Sequence, residues 1–125
     1  MYEQLTKYIS IFENDDIGSI ETTVYPQTIA FSKNVNTFIN EVKHFSNNNK
    51  ELHLWNYKKL LSKEFEGSQI FINDIEVSTL DGKTICALLC YAVNLQKINQ
   101  SYKLYDLLNN GTIIKWLKKL NKIDN

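Results

Sequence analysis

Between Thr84 and Leu95 the chain reads TICALLCYAVNL, its longest apolar run. At about 12 residues it is too short for a bilayer, which takes about 20. Wound as a helix at about 100° per residue, its apolar side chains point in every direction. Such a helix is stable only with protein on all sides, so the other elements must wrap it. Asp81 stands just ahead, where its carboxylate can accept from the open N–H groups of the first turn. A central, buried helix is therefore the fixed point of the fold.

The flanking segments supply the wrapping. Leu5, Tyr8, Ile9 and Phe12 recur at helical spacing, so residues 2–13 are predicted to be an amphipathic helix broken by Asp15, Asp16 and Gly18. Alternation in Ile20, Thr22 and Val24, ended by Pro26, predicts a strand, and Ile29 with Phe31 a second. Together they make a β-hairpin over residues 19–32. Ser32 is placed to cap a helix whose apolar face is Val35, Phe38, Ile39 and Val42. Asn47, Asn48 and Asn49 read as a loop. Leu52 and Leu54, alternating with His53 and Trp55, then suggest a short third strand.

Tyr57, Leu60, Leu61 and Phe65 suit a short helix stopped at Gly67, and Ile70 to Ile72 fits either a strand or a buried turn. Beyond the central helix, Ser101 is expected to cap a helix carrying Leu104, Leu107 and Leu108, which Gly111 ends with a left-handed turn. Thr112 is expected to cap the last helix. There Ile113, Trp116, Leu117, Leu120 and Ile123 face inward, opposite Lys115, Lys118, Lys119 and Lys122. The expected fold class is α+β: a mostly helical single domain, residues 1–125, with a small antiparallel hairpin or sheet and a central buried helix.

A chain of 125 residues can bury a core without disulfides or metals. It shows no apolar leader behind a charged start, so the expected compartment is the cytoplasm, with no membrane partner. Every basic residue is lysine, so no guanidinium fork is available to grip phosphate or guanine. The formal net charge is zero, but the charges are segregated. Glu3, Glu13, Asp15, Asp16 and Glu21 face only Lys7 in the first 32 residues. Glu64, Glu66, Asp74, Glu76 and Asp81 fill the stretch from Lys63 to Lys83. Six lysines from Lys97 to Lys122 face only Asp106. Such asymmetry either steers a charged partner or ties the two ends of the fold together.

Chemistry-bearing residues are few. Cys86 and Cys90 lie one turn apart within an apolar helix, where thiols act as small hydrophobes; a zinc site needs more ligands and a turn-borne spacing. His44 and His53 flank the asparagine run without a nucleophile or carboxylate in triad order. The pairs Asp15/Asp16 and Glu64/Glu66 lack the spacing of a calcium loop. No enzymatic activity, metal or cofactor is expected. From Ser101 to Ile123 the order helix, glycine turn, lysine-striped helix resembles a helix-turn-helix, although Thr112, Ile113 and Ile114 offer little to base edges.

From its N-terminal helix, through Phe31-Ser32-Lys33, to the ending Asn110-Gly-Thr-Ile-Ile-Lys-Trp-Leu-Lys-Lys-Leu120, the chain resembles a small bacterial domain family of unknown function. The resemblance implies this order of elements and no particular activity. Members carry an Arg-Asp-Arg-Phe-like stretch after the central helix, where this chain has Asn94 to Asn99, so any basic site there is altered. In kind, a small asparagine-, lysine- and isoleucine-rich chain without catalytic motifs is similar to the immunity proteins that neutralise bacterial toxins.

The expected function is thus a protein-binding module of the immunity type, occluding the active surface of a basic toxin domain. Its partner-binding residues are expected to be Glu13, Asp15, Asp16, Glu21, Tyr25, Trp55, Glu64, Glu66, Phe71, Asp74 and Glu76. The competing expectation is DNA binding through Lys115, Lys118, Lys119 and Lys122. Oligomeric state is left open by the sequence.

Overall fold

The computed structural model describes residues 1–21, 28–64, 80–95 and 101–125. The all-round apolar run forms helix α5, Gly82–Val93, and Ile85, Ala87, Leu88, Leu89 and Ala92 on it have lost essentially all contact with solvent. It starts as the sequence predicts: Asp81 Oδ1 accepts from the Thr84 N–H at 2.8 Å. Among the described residues, four helices pack around it. These are α3 (Lys33–Asn48), α4 (Tyr57–Glu64), α6 (Ser101–Asn109) and α7 (Thr112–Asp124).

The predicted N-terminal helix is divided at Lys7 into α1 (Glu3–Thr6) and α2 (Tyr8–Asn14). Lys7 keeps right-handed helical dihedrals, so the chain hardly changes direction and Leu5, Tyr8 and Phe12 still face one way. Tyr8, Phe12 and Phe38 form a triangle in which Phe38 stands edge-to-face to each of the other two rings, 5.1 Å from both. Aromatic contacts of this geometry add to the stability gained by burial alone. α7 lies across α1 and α2 as well as α5 and α6. Asp124 at its end accepts from the Tyr2 N–H at 2.8 Å, joining the last helix to the start of the first.

The expected α+β class is corrected: the fold is mostly α. Among the described residues, β-strand is confined to Gly18–Glu21 and Thr28–Phe31, paired antiparallel with Gly18 opposite Phe31 and Glu21 opposite Thr28. With four residues a side and no other described strand beside it, this is a local ribbon and not a layer of the fold. A Cβ on Gly18, whose φ is +140°, would run into the Ala30 carbonyl, so the ribbon's close start requires glycine. The core is built by helices, to which nearly all the buried side chains belong.

Three local expectations also change. The predicted third strand at 51–55 is two successive 3-10 turns, Lys50–Leu52 and Leu54–Asn56, hinged at His53 with φ 54° and ψ 37°. The asparagine loop is the end of α3, which runs to Asn48, and Asn49 Nδ2 donates to the Phe45 carbonyl at 2.9 Å. Burial of Val42 and Phe45 holds this last turn helical against the weak helix preference of asparagine. At the start of α7, Thr112 is helical and the cap comes from Asn110, whose Oδ1 accepts from the Thr112 N–H at 3.0 Å. Ser101 is likewise the first helical residue of α6 and not a residue ahead of it. Ser32, by contrast, caps α3 as predicted, accepting from the Val35 N–H at 3.3 Å.

Candidate functional site

Of the residues expected to meet a partner, those described do not form one surface. Glu13, Asp15 and Asp16 rim an open cleft of about 410 Å³ between the end of α2 and the α6–α7 corner, with Phe12, Ile17, Leu108 and Ile114 among its apolar lining. Trp55 belongs to a second crevice of about 370 Å³, between α3, the second 3-10 turn and the end of α5. The two share no lining residue. Glu21 lies on the ribbon, with its backbone alone described, and Glu64 likewise ends α4. Tyr25, Glu66, Phe71, Asp74 and Glu76 lie outside the described residues, as do Gly67 and the Ile70–Ile72 segment.

The acidic cleft follows from local chain geometry. α2 ends at Asn14, and Asp15 takes an extended conformation that carries the carboxylates of Asp15 and Asp16 into solvent. Ile17 turns back into the core. Two of the three acids are partly engaged. Glu13 pairs with Lys118 Nζ at 2.9 Å, and Asp15 Oδ2 accepts from Asn34 Nδ2 at 2.7 Å. Asp16 makes no hydrogen bond or ion pair among the described residues. An exposed pair such as Glu13–Lys118 is worth under ~1 kcal/mol, so a cationic partner could displace Lys118 at little cost.

Along α7 the lysine stripe is real, with Lys115, Lys118 and Lys122 exposed, but Lys118 leans onto Glu13. The turn between α6 and α7 is Asn110-Gly111 alone, with Gly111 at φ 85°. A DNA-binding helix-turn-helix uses about 3–4 residues there. Ile123, expected inside, is 42% exposed, and Asp124 takes the inward direction in its place.

Cys86 and Cys90 are buried in α5, and burial pushes both thiols up, Cys90 to about 12. A thiol held protonated near neutral pH is neither a nucleophile nor a metal ligand. His44 and His53 are exposed. Among the described residues no three His, Cys, Asp or Glu side chains converge so as to hold a metal ion. No described helix is long and apolar enough to cross a membrane.

The segment expected to be a short third strand is a doubled 3-10 turn, and on it the Trp55 indole is 72% exposed. Leu54 beside it is fully buried and pins the turn, and Trp55 projects outward from that anchor. His53 stands edge-on to the indole, ring centres 6.3 Å apart. Comparison of the chain with protein-family models, characterised proteins and solved structures finds no match in any of the three. The resemblance to a bacterial domain family is neither supported nor opposed by them.

Proposed function

We propose that this chain is a protein-binding module of the immunity type, which neutralises a bacterial toxin by occluding its active surface. The observation that carries the reading is the acidic cleft: three solvent-facing carboxylates at Glu13, Asp15 and Asp16 around an apolar floor. Interfaces of high affinity combine an apolar centre with a polar rim, and charge on the rim speeds encounter. A basic toxin domain is the partner of matching charge, and displacement of Lys118 from Glu13 would free that carboxylate for it.

The test is a pull-down with the product of the neighbouring gene, followed by stopped-flow association. Asp15→Lys with Asp16→Lys is expected to slow association about tenfold or more at low salt and much less at high salt. Unchanged kinetics would remove the cleft from the interface. DNA binding through the α7 lysines is the competing outcome, recognised by duplex affinity that falls steeply with salt. The Glu13 carboxylate on Lys118 and the two-residue α6–α7 turn both weigh against it.

A further inference from the structure

We infer that the Trp55 crevice is a second docking site, for an acidic peptide segment that seats one bulky apolar side chain against the indole. The indole is left largely uncovered although its neighbours Leu52, Leu54 and Tyr57 all pack against the core, so among the described residues the fold makes little use of it. The turn is held in place: the His53 N–H donates to the Lys50 carbonyl and the Asn56 N–H to the His53 carbonyl, each at 3.0 Å. A non-glycine residue in the left-handed region, as at His53, persists only where its surroundings impose it. Trp55 is thereby presented at low entropic cost to whatever binds, which is the usual condition of an interface hot spot.

Beside the indole the crevice is floored by Val42, Leu54 and Val93, and its size suits one aromatic or branched side chain. Among the described residues its surroundings are basic. Lys43 lines the crevice, Lys58 and Lys59 follow Trp55 by one helical turn, and Lys50 opens the preceding 3-10 turn; all four are exposed. From Lys43 to Lys59 the only acid is Glu51. The charge is thus opposite to that of the cleft on α2, and an acidic partner segment is complementary to it. Single-stranded nucleic acid would match the charge but not the floor. Bases stack on successive aromatic faces along a groove, whereas here one indole borders an apolar pocket with His53 set edge-on to it.

The protein carries its own reporter. Trp116 is 1% exposed, so change in quencher-accessible emission comes from Trp55. The full chain would be titrated with two synthetic peptides sharing a Leu-Phe-Leu centre, one flanked by Asp and Glu, the other by Lys, and with oligo-dT. The acidic peptide is expected to shift Trp55 emission to the blue saturably and to bind at least about tenfold tighter than the lysine peptide. Its binding should weaken several-fold between about 0.05 and 0.5 M salt. With a dye-labelled acidic peptide followed by anisotropy, Trp55→Ala should weaken binding by about tenfold or more, with the melting temperature retained. Lys43→Glu combined with Lys58→Glu should do the same. Equal binding of the two peptides, no saturable binding, or binding that survives Trp55→Ala would overturn the proposal. Tighter binding of oligo-dT than of the acidic peptide would replace it with a nucleic-acid surface.

Discussion

The two tryptophans show how differently one side chain can be accounted for. Trp116 lies in α7 against the central helix, 1% exposed, and burial of its large apolar area explains its presence. Trp55 stands 72% exposed on a doubled 3-10 turn and stabilises little that the structure shows. The region around the first is held by apolar contact from all sides. The region around the second is held from one side only, by buried Leu54, half-buried Leu52 and Tyr57, and a few backbone hydrogen bonds. Residues of the first kind report on the fold, and residues of the second kind ask for a partner.

The comparison breaks most visibly at Trp116. Trp116→Ala is expected to cost about 3–5 kcal/mol, enough to unfold a large fraction of a domain of ordinary stability, as read from denaturant unfolding. A loss below about 1 kcal/mol would show that the α5–α7 contact is not the centre of the core.

Next in size is the start of the central helix. The Thr84 hydroxyl and N–H both favour ionised Asp81 and hold its carboxyl below the ordinary 3.8. The stabilisation is therefore complete above the unfolded-state value and is lost as pH falls through the lower folded-state one. Asp81→Ala should cost about 1 kcal/mol at neutral pH, and Asp81→Asn much less, because an amide oxygen also caps. Thermal melts from pH 7 down to pH 2 should show the wild-type advantage over Asp81→Asn shrinking in acid.

At the hinge of the doubled turn, His53→Gly sets about 1–2 kcal/mol of left-handed strain relieved against about 0.5–1 kcal/mol of added chain entropy in the unfolded state. A net gain of about 0.5 kcal/mol is expected in denaturant unfolding. A loss of stability would mean that the imidazole contact with Trp55 supports the turn after all. Smallest of all, Trp55→Ala should change folding stability by less than about 0.5 kcal/mol. A larger loss would place Trp55 with Trp116, as a residue of the fold.

What could be read from the sequence divides along the same line. The central helix was legible because a run apolar on every side has one packing solution, and its Asp81 cap and the Ser32 cap of α3 are local chemistry. The 51–55 segment was misread because alternation of Leu52 and Leu54 with His53 and Trp55 imitates a strand, while a 3-10 turn can also bury Leu54 and expose its neighbours. Ile123 was misplaced because a drift of the α7 stripe brings Asp124 inward to reach Tyr2, a contact that depends on residues at the other end of the chain. The grouping of Glu13, Asp15 and Asp16 with the apolar side chains of α6 and α7 is likewise tertiary and had no sequence signal.

The position of α7 also sets an order of events. It touches α1 and α2, laid down about a hundred residues earlier, and closes one side of the helix on which α3, α4 and α6 also pack. During synthesis, α5 leaves the ribosome with that side uncovered and waits for the last helix before its apolar surface is sealed. Contacts so distant in sequence slow the search for the native state, and the waiting chain is adhesive meanwhile. Yield in the cell should therefore follow how quickly α7 finds α1 and α2, a matter of rate that equilibrium unfolding of the finished protein does not measure.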